Sequence, residues 1–400
     1  MINIANLSQL VTGRKESFFF NDVVNHSPGL CANIYDKRIL VAGGAGSIGS
    51  ATIMELLKFG PKTIAVLDTN ENSLAELART IHGQAQPGEI LPELLLEPLD
   101  YGSDLAKEFL AYHTGKAGSG KEPFDVVMSF AALKHVRSEK DVFSTLRMLE
   151  TNLLNADHFL DTCLSFGHGK GGVFFVSTDK AARPTSIMGA SKRLMEKLLW
   201  KHAQGQEGRA FFPRVTTTRF ANVAFSDGSL PWSWLKRIEK HQPLVVPTDV
   251  KRYMISLEEA AHLCLLSAFV CPSEHLLVPR FTDNQLVSFK DMVKALLKEC
   301  REKGSFVEPQ VVETVTDTSG EKPVEEFVAE GEEAIEVGLE SALGIKAPMV
   351  AADGLEMFLG HLSLFIDGNL PTKGHLVELI KSLVPDFHHV ETGTSLDGKR

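Results

Sequence analysis

Short apolar runs alternate with stretches of helical spacing over much of the chain. From Arg38 the pattern becomes regular. Ile39-Leu40-Val41-Ala42 is an unbroken apolar run ending in glycines, as a strand buried on both faces requires. Ser50–Phe59 then places Ile53, Leu56 and Leu57 at helical spacing, and Gly60-Pro61 stops it. Thr63–Leu67 predicts a second buried strand, Leu74–Ile81 a helix, Leu94–Leu96 a third strand and Asp125–Phe130 a fourth. A long helix is predicted over Val142–Phe166, a strand over Gly172–Thr178, a helix over Ser191–His202 and a sixth strand over Val215–Phe220. This alternation predicts an α/β fold, a doubly wound parallel sheet of the Rossmann type. Its ligands would lie at the carboxyl ends of the strands.

The flanks are less regular. Residues 1–37 predict an N-terminal arm whose Phe18-Phe19-Phe20 packs on the main body or on another subunit. The nucleotide-binding domain is expected over 38–222, and a smaller mixed substrate lobe over 223–400, where Pro231, Pro243 and Pro247 loosen the pattern. A segment near 255–280, with a helix over Leu257–Phe269 and a strand over His275–Val278, is expected to return to the sheet. Glu321–Glu340 is strongly acidic and reads as a solvated face or mobile segment.

Composition narrows the class. In 400 residues, 44% are hydrophobic and 23% charged, which fits a globular protein with a sizeable core and excludes a disordered chain. The net charge of −10 argues against sequence-independent nucleic-acid binding. An anionic ligand must therefore be held by local basic groups and backbone N–H donors. Cys31, Cys163, Cys264, Cys271 and Cys300 are odd in number and widely spaced, so a reducing compartment and no metal site are expected. The first residues lack a basic segment followed by an apolar run. The apolar stretch Ala260–Cys271 is interrupted by His262 and too short to cross a bilayer. A cytoplasmic protein without a membrane span is expected, and the arm suits a homo-oligomer.

The first strand runs into Gly43-x-x-Gly46-x-x-Gly49, with Ser47 and Ile48 inside the loop, and then into a helix. Glycines there let a pyrophosphate approach the backbone, and the helix N-terminus offers N–H donors. Asp68 ends the second strand, with Asn70 just beyond. A carboxylate at that point accepts from ribose hydroxyls and repels a 2′-phosphate, which favours NAD over NADP. Asp100-Tyr101 is placed to flank the adenine. Gly115-x-x-x-x-Gly120-Lys121 imitates a phosphate loop, but Glu122 replaces the required Ser or Thr and no good strand precedes it. A flexible insertion is expected there instead.

Ser177-Thr178-Asp179-Lys180 sits where the fifth strand meets the cleft, followed by Met188-Gly-Ala-Ser-Lys192. With GGAGSIGS at 43–50, AALKHV at 131–136, ETN at 150–152, STDKAARPTSIMGASKR at 177–193, RFANV at 219–223 and TDVKRYM at 248–254, the chain resembles the extended short-chain dehydrogenase/reductases. The likeness is to their nucleotide-sugar 4,6-dehydratases acting on UDP-N-acetylglucosamine. It covers residues 38 to about 260. In the wider family a Tyr stands four residues before the Lys; Met188 stands there here, and a thioether cannot shuttle a proton. Met at this position marks one branch, the long membrane-bound dehydratases, whose membrane helices this chain lacks. That branch implies retention of configuration at C5.

The resemblance implies a reaction and roles. A 4,6-dehydration oxidises C4 of the sugar, eliminates water across C5 and C6, and returns hydride to C6. Lys180 is implied as the base at C5, and Asp179 as the acid for the leaving C6 hydroxyl. Those roles require Lys180 partly neutral: burial favours this, while its attraction to Asp179 opposes it. Thr178 would bond the C4 oxygen. Asp179, or Lys192 through water, would take the C4 hydroxyl proton. Lys192 also orients the nicotinamide ribose. Ala131 and Ala132 leave room for the cofactor, and Asn152 braces the active-site backbone. Lys134, His135, Met188, Asn222, Ser229 and Arg252 are implied on the UDP-sugar side, Asn222 and Arg252 at the diphosphate. Ala221 replaces the usual Gly of the RFGNV motif, and the following Ala224–Ser229 also departs from the family pattern. A nucleotide-sugar 4-epimerase is the rival, sharing cofactor and substrate but needing no C5 base. A non-enzymatic dinucleotide-sensing protein could drop Tyr, yet would have no reason to keep Thr178, Asp179, Lys180 and Lys192 together.

Overall fold

Each apolar run becomes a strand of one sheet. The computed structural model describes residues 4–114, 121–134, 139–205, 210–302, 307–315, 322 and 324–389. The first six strands are β1 (Arg38–Ala42), β2 (Thr63–Leu67), β3 (Glu93–Glu97), β4 (Val126–Ser129), β5 (Gly172–Val176) and β6 (Val215–Thr218). They are followed by β7 (Asn222–Val223), β8 (Leu244–Pro247), β9 (Lys251–Ile255), β10 (His275–Pro279), β11 (Leu286–Ser288), β12 (Val311–Thr314), β13 (Ala334–Ile335) and β14 (Ala342–Lys346). Among the described residues the main sheet runs β13-β14-β10-β6-β5-β4-β1-β2-β3. The strands from β10 to β3 are parallel, whereas β14 pairs antiparallel with β10 and β13 with β14. The order reverses between β1 and β4, so a crevice opens at their carboxyl ends, as a doubly wound sheet dictates.

Helices cover both faces. One face buries Leu40, Leu67, Val127 and Phe175 under α6 (Asp104–Tyr112), α7 (Val142–Leu149), α8 (Asn155–Phe166) and α9 (Ile187–Gln204). The other buries Ile39, Val41, Ile64 and Phe174 under α3 (Ser27–Ile34), α4 (Ser47–Leu57), α5 (Glu71–Gln84) and α11 (Leu257–Leu265). Neighbouring strand residues thus serve opposite layers, which explains the unbroken apolar runs. Side-chain caps set several helix starts. Asn70 accepts from Ser73 N at 3.1 Å, and Ser186 accepts from Gly189 N, so α9 begins before the expected Ser191. The long helix over 142–166 is interrupted by a single π turn at Glu150–Leu154.

One domain expectation is corrected. The segment 223–400 does not form one lobe. A small lobe gathers α10 (Leu230–Glu239), α12 (Phe289–Glu302) and the short strands β8, β9 and β11 around Trp234, Leu244, Met254 and Leu296. The end of the chain instead returns to the main sheet as β13 and β14. Its helices α13 (Ala352–Ile366) and α14 (Lys373–Leu383) bury Leu355, Leu362, Leu376 and Ile380 in the core that α7–α9 share. The arm is likewise divided. Helix α1 (Ile4–Thr12) joins the small lobe through Leu7 and Val11, while Phe19, Leu30 and Ile34, from α2 (Phe20–Asn25) and its surroundings, pack on the sheet layer. Apolar spacing too short to stand out in sequence decides both. Of the aromatic triplet, Phe19 is buried, Phe18 packs on Phe281 with ring centroids 4.8 Å apart, and Phe20 is exposed. Among the described residues no helix is long and apolar enough to cross a membrane. Residues 115–120 of the imitation phosphate loop lie outside the described residues, and Lys121 pairs with Glu93 at 3.0 Å.

The acidic segment is a further correction. Rather than a solvated face, it carries a buried ion-pair network. Arg219, just past β6 and fully buried, donates to Glu196 Oε1 and Oε2 on α9 at 2.8 and 2.6 Å. It also donates to Glu332 Oε2 and Oε1 at 2.6 and 2.9 Å, and to the Phe327 carbonyl at 2.9 Å. All five of its N–H groups are satisfied, the condition under which a charge can be buried. Phe327 adds an apolar anchor against Tyr253 and Phe281.

Two groups, His168 and Glu332, should make the fold acid-labile. His168 Nδ1 accepts from Phe124 N at 2.9 Å, and its Nε2–H donates to the Leu110 carbonyl at 3.0 Å. A second ring proton would meet the Phe124 N–H, and burial already lowers the pKa to about 4. Burial pushes Glu332 up, but its bonds and attraction to Arg219 more than offset this and hold it down to about 2. For both groups the unfolded chain binds protons at higher pH than the folded one. The melting temperature should therefore fall from about pH 6.5 to 4 as the unfolded histidine charges, and again below about 4.5 as unfolded Glu332 protonates. A thermal-melt series that stays flat from neutral to acid would contradict this. Glu332→Ala should cost roughly 3–5 kcal/mol in urea unfolding, because it strands a buried guanidinium.

Candidate active site

A cavity of about 650 Å³ opens at the reversal point of the sheet. Its floor is the loop after β1. Gly43 has φ +69°, and a Cβ there would stand 2.4 Å from Ala131 N, so the turn admits only glycine. At Gly46 the protein makes no such demand: a Cβ would meet only the Gly43 carbonyl, at 3.6 Å. Glycine there leaves open the space over the start of α4, where Ser47, Ile48 and Gly49 also line the cavity. An open space over a helix N-terminus, with small Ala131 and Ala132 opposite, fits a dinucleotide.

At one end, Asp68 lines the cavity and accepts from Ala45 N and Asn70 N, both at 3.0 Å. It therefore shapes the glycine loop as well as facing it. Asn70 does not line the cavity, because capping α5 occupies its side chain. Asp100 lines it too, but is also braced by Arg147 at 3.1 Å, by Gly102 N at 3.0 Å and by Asn155 Nδ2 at 3.2 Å. Tyr101 is buried and donates to the Thr151 carbonyl; burial raises its pKa above the ordinary range. The cavity also takes in Arg147 and Asp227, which sequence reasoning did not single out. Ser47 Oγ donates to Asp227 Oδ2 at 2.8 Å, and Asp227 N donates back to Ser47 Oγ at 3.0 Å. This clasp joins the cofactor loop to the loop after β7.

At the other end the expected acid–base residues come together. Thr178 lies two residues past β5 and caps the tight turn Asp179–Ala181. Its hydroxyl donates to Asp179 Oδ1 at 2.8 Å. Asp179 is buried; its Oδ1 also accepts from Lys180 N at 2.9 Å and Lys180 Nζ at 3.1 Å, while Oδ2 has no partner. Glu325 Oε1 lies 3.4 Å from Lys180 Nζ, and Asn222 Oδ1 3.5 Å. Burial lowers the pKa of Lys180, but the charges of Asp179 and Glu325 outweigh it and raise the pKa above the usual lysine value. In the free protein, attraction to the two carboxylates thus opposes the partly neutral Lys180 that its implied role requires.

Lys192 behaves in the opposite way. Buried on α9, it donates to the Val176 carbonyl at 3.0 Å, with the Met195 thioether at 3.4 Å. Burial pulls its pKa down to about 8, against the pull of Glu196. Met188 lines the cavity on the same helix, its backbone N–H held by Glu139 Oε1 at 2.9 Å. Asn152, in the π turn, grips the loop after β4. Its Oδ1 accepts from Leu133 N at 2.9 Å, and its Nδ2 donates to the Leu133 carbonyl and to Ser191 Oγ at 3.1 and 3.0 Å.

The remaining expected residues divide. Lys134, Asn222 and Ser229 line the cavity. Burial lowers the pKa of Lys134, with Asp227 opposing, and Asn222 Nδ2 is buried without a partner. Ser229 also caps α10. Arg252 is buried on β9 and does not line the cavity; its charge bears on Lys180 and Glu325 instead. His135 lies outside the described residues. Glu325 escaped the sequence reading because it sits in an acidic run; the apolar Phe327-Val328 beside it was the available sign that the run turns inward.

Residues 39–347 match the family described as polysaccharide biosynthesis protein. An uncharacterized membrane protein of Methanocaldococcus jannaschii is 30% identical over 309 residues, 75% of this chain and 83% of that protein. The capsular polysaccharide biosynthesis protein CapD of Staphylococcus aureus is 26% identical over 308 residues, 74% of this chain but 46% of CapD. Further matches, each at 28% identity and covering 62% of the relative, include an inverting UDP-N-acetylglucosamine 4,6-dehydratase of Campylobacter jejuni and a UDP-glucose 4-epimerase of Rickettsia conorii. The structure of Pen from Bacillus thuringiensis superposes with a TM-score of 0.63 at 21% identity, over 80% of this chain and 89% of Pen, a likeness of fold. With most of its length matched, the chain belongs to the polysaccharide biosynthesis protein family.

Proposed function

We propose that the chain is a nucleotide-sugar 4,6-dehydratase of the extended short-chain dehydrogenase/reductase type. It would use NAD and convert UDP-N-acetylglucosamine to a UDP-4-keto-6-deoxy sugar. One observation carries this reading: an acid and an amine, Asp179 and Lys180, stand side by side in a cavity where Met188 has no proton to give. A 4-epimerase removes hydride from C4 and returns it there, so it has no use for a base at C5. Relatives named for both reactions match the chain, and this pair is what favours dehydration.

Bound over the glycine loop, NAD supplies a reversible hydride acceptor. The chain's own groups do the rest. Lys192, with a pKa near 8, can release or hold a proton near neutral pH, and shares with Asp179 the task of taking the C4 hydroxyl proton. Thr178 turns its hydroxyl from Asp179 toward the C4 oxygen. Lys180 removes the C5 proton, acidified by the adjacent ketone. Asp179 protonates the C6 hydroxyl through its unpartnered Oδ2, and water leaves. Lys134 and Asn222 Nδ2 offer donors to the diphosphate, and Met188 an apolar wall.

Protein incubated with UDP-N-acetylglucosamine and NAD⁺ in deuterated water should yield a product lacking one water and bearing one carbon-bound deuterium, read by mass spectrometry. An isomer of unchanged composition would establish epimerisation instead. Lys180→Ala should lower turnover by about 10²–10⁴-fold and leave NAD binding intact; lost binding would refute its assignment. Replacing Asp68 by Ser should weaken NAD and narrow its advantage over NADP in titrations, because the carboxylate facing a 2′-phosphate is gone.

A further inference from the structure

Lys180 is held in a way that work as a base does not explain. Its ammonium faces three oxygens: Asp179 Oδ1 at 3.1 Å, Glu325 Oε1 at 3.4 Å and Asn222 Oδ1 at 3.5 Å. The first and third accept hydrogen bonds from the ammonium and the second completes an ion pair, so the surroundings favour a group that has no lone pair to offer. Glu325 reaches it from the acidic segment beyond β12, with its side chain 3% exposed. Glu325 Oε2 is buried with no hydrogen-bond partner, so no donor at that oxygen holds the group in its charged form. The charged groups around it are Lys180, Asp179, Arg252 and Lys322.

We infer that Glu325 is a positioning residue that accepts the proton Lys180 must lose before its amine can act at C5. The inference rests on the dehydratase reading. One N–H bond of the ammonium breaks and one O–H bond forms on Glu325. Ammonium and carboxylate become amine and carboxylic acid, so the net charge of the cluster does not change. A neutral pair tolerates loss of water better than an ion pair, so a substrate that fills the cavity favours the transfer. Burial, and to a lesser degree Asp179, already push Glu325 above the usual carboxylate range, while Lys180, Arg252 and Lys322 pull it back. Lys180 then takes the C5 proton and returns it to C5 in the last step, and Glu325 gives its own proton back. Anchored through Phe327 and Glu332 on Arg219, the segment keeps this carboxylate in place.

The test compares wild type, Glu325→Gln and Glu325→Asp with UDP-N-acetylglucosamine and NAD⁺ in deuterated water, across neutral and mildly alkaline pH. Glu325→Gln should bind NAD normally and still reduce it on adding the sugar. It should exchange C5 with solvent at least roughly tenfold more slowly. Its rate should climb with pH where the wild type is flat, because only solvent can then take the lysine proton. Glu325→Asp should recover the flat profile and part of the rate. Wild-type rate and profile in Glu325→Gln overturn the inference, and so does a slowed variant whose profile stays flat. Should Glu325→Gln fail to fold by circular dichroism, Glu325→Asp should slow C5 exchange more than C4 oxidation, and equal slowing overturns the inference. A wild-type protein giving no dehydrated product overturns the dehydratase reading as well, whereas dehydration indifferent to Glu325 overturns this inference alone.

Discussion

The guanidinium of Arg219 joins the parts from which the active site is built. It sits past the end of β6, beside the strand that delivers Asp179, and clamps Glu196 of α9 on one side and Glu332 on the other. Helix α9 carries Met188 and Lys192; the segment before Glu332 carries Glu325. Ser177 Oγ donates to the same Glu196 at 2.6 Å, so the strand end is tied into the network as well. A buried charge is costly unless every donor is met, and here the five are met from two pieces of chain, α9 and the acidic segment. The arrangement therefore selects one placement of those pieces more than it adds net stability.

Within that frame, two lysines that line the cavity differ in character for reasons visible in their neighbours. Lys180 faces carboxylates and an amide oxygen, which favour the charged form. Lys192 faces a carbonyl and a thioether, with one carboxylate near enough to be felt, and burial prevails. Environments that push like groups apart are how one cleft can hold both proton donors and proton acceptors at one pH. The surroundings of Lys180 in the free protein favour its charged form, so the base proposed at C5 would require a change in them.

Much of this was legible in the sequence. The apolar runs within 39–42, 63–67 and 172–176 read as strands buried on both faces, and they are strands of the main sheet. The motif residues converge on one cavity because strand ends converge there. What was not legible has physical causes. Asn70 was read as a ligand, yet the first turn of α5 left an orphan N–H that its side chain satisfies more locally. The acidic run looked solvated because charge counts do not reveal which carboxylate meets a buried arginine from a strand over a hundred residues earlier. The division of the C-terminal half was hidden because β13 and β14 are short and antiparallel, with no crossover helix to announce them.

The π turn at Glu150–Leu154 has a bearing on how this sequence can change. A π turn holds one residue more than the α-helical turn it replaces, and the extra residue advances the helix by about 100° of rotation. Asn152 faces the loop after β4, and Phe159, Leu160 and Cys163 face the core, only with that phase included. Deleting a residue there would straighten the helix yet rotate one half of it out of register. Substitutions along α7 and α8 can accumulate one at a time, but the length between them cannot drift. Among related chains, this stretch should therefore vary in composition and stay fixed in residue count.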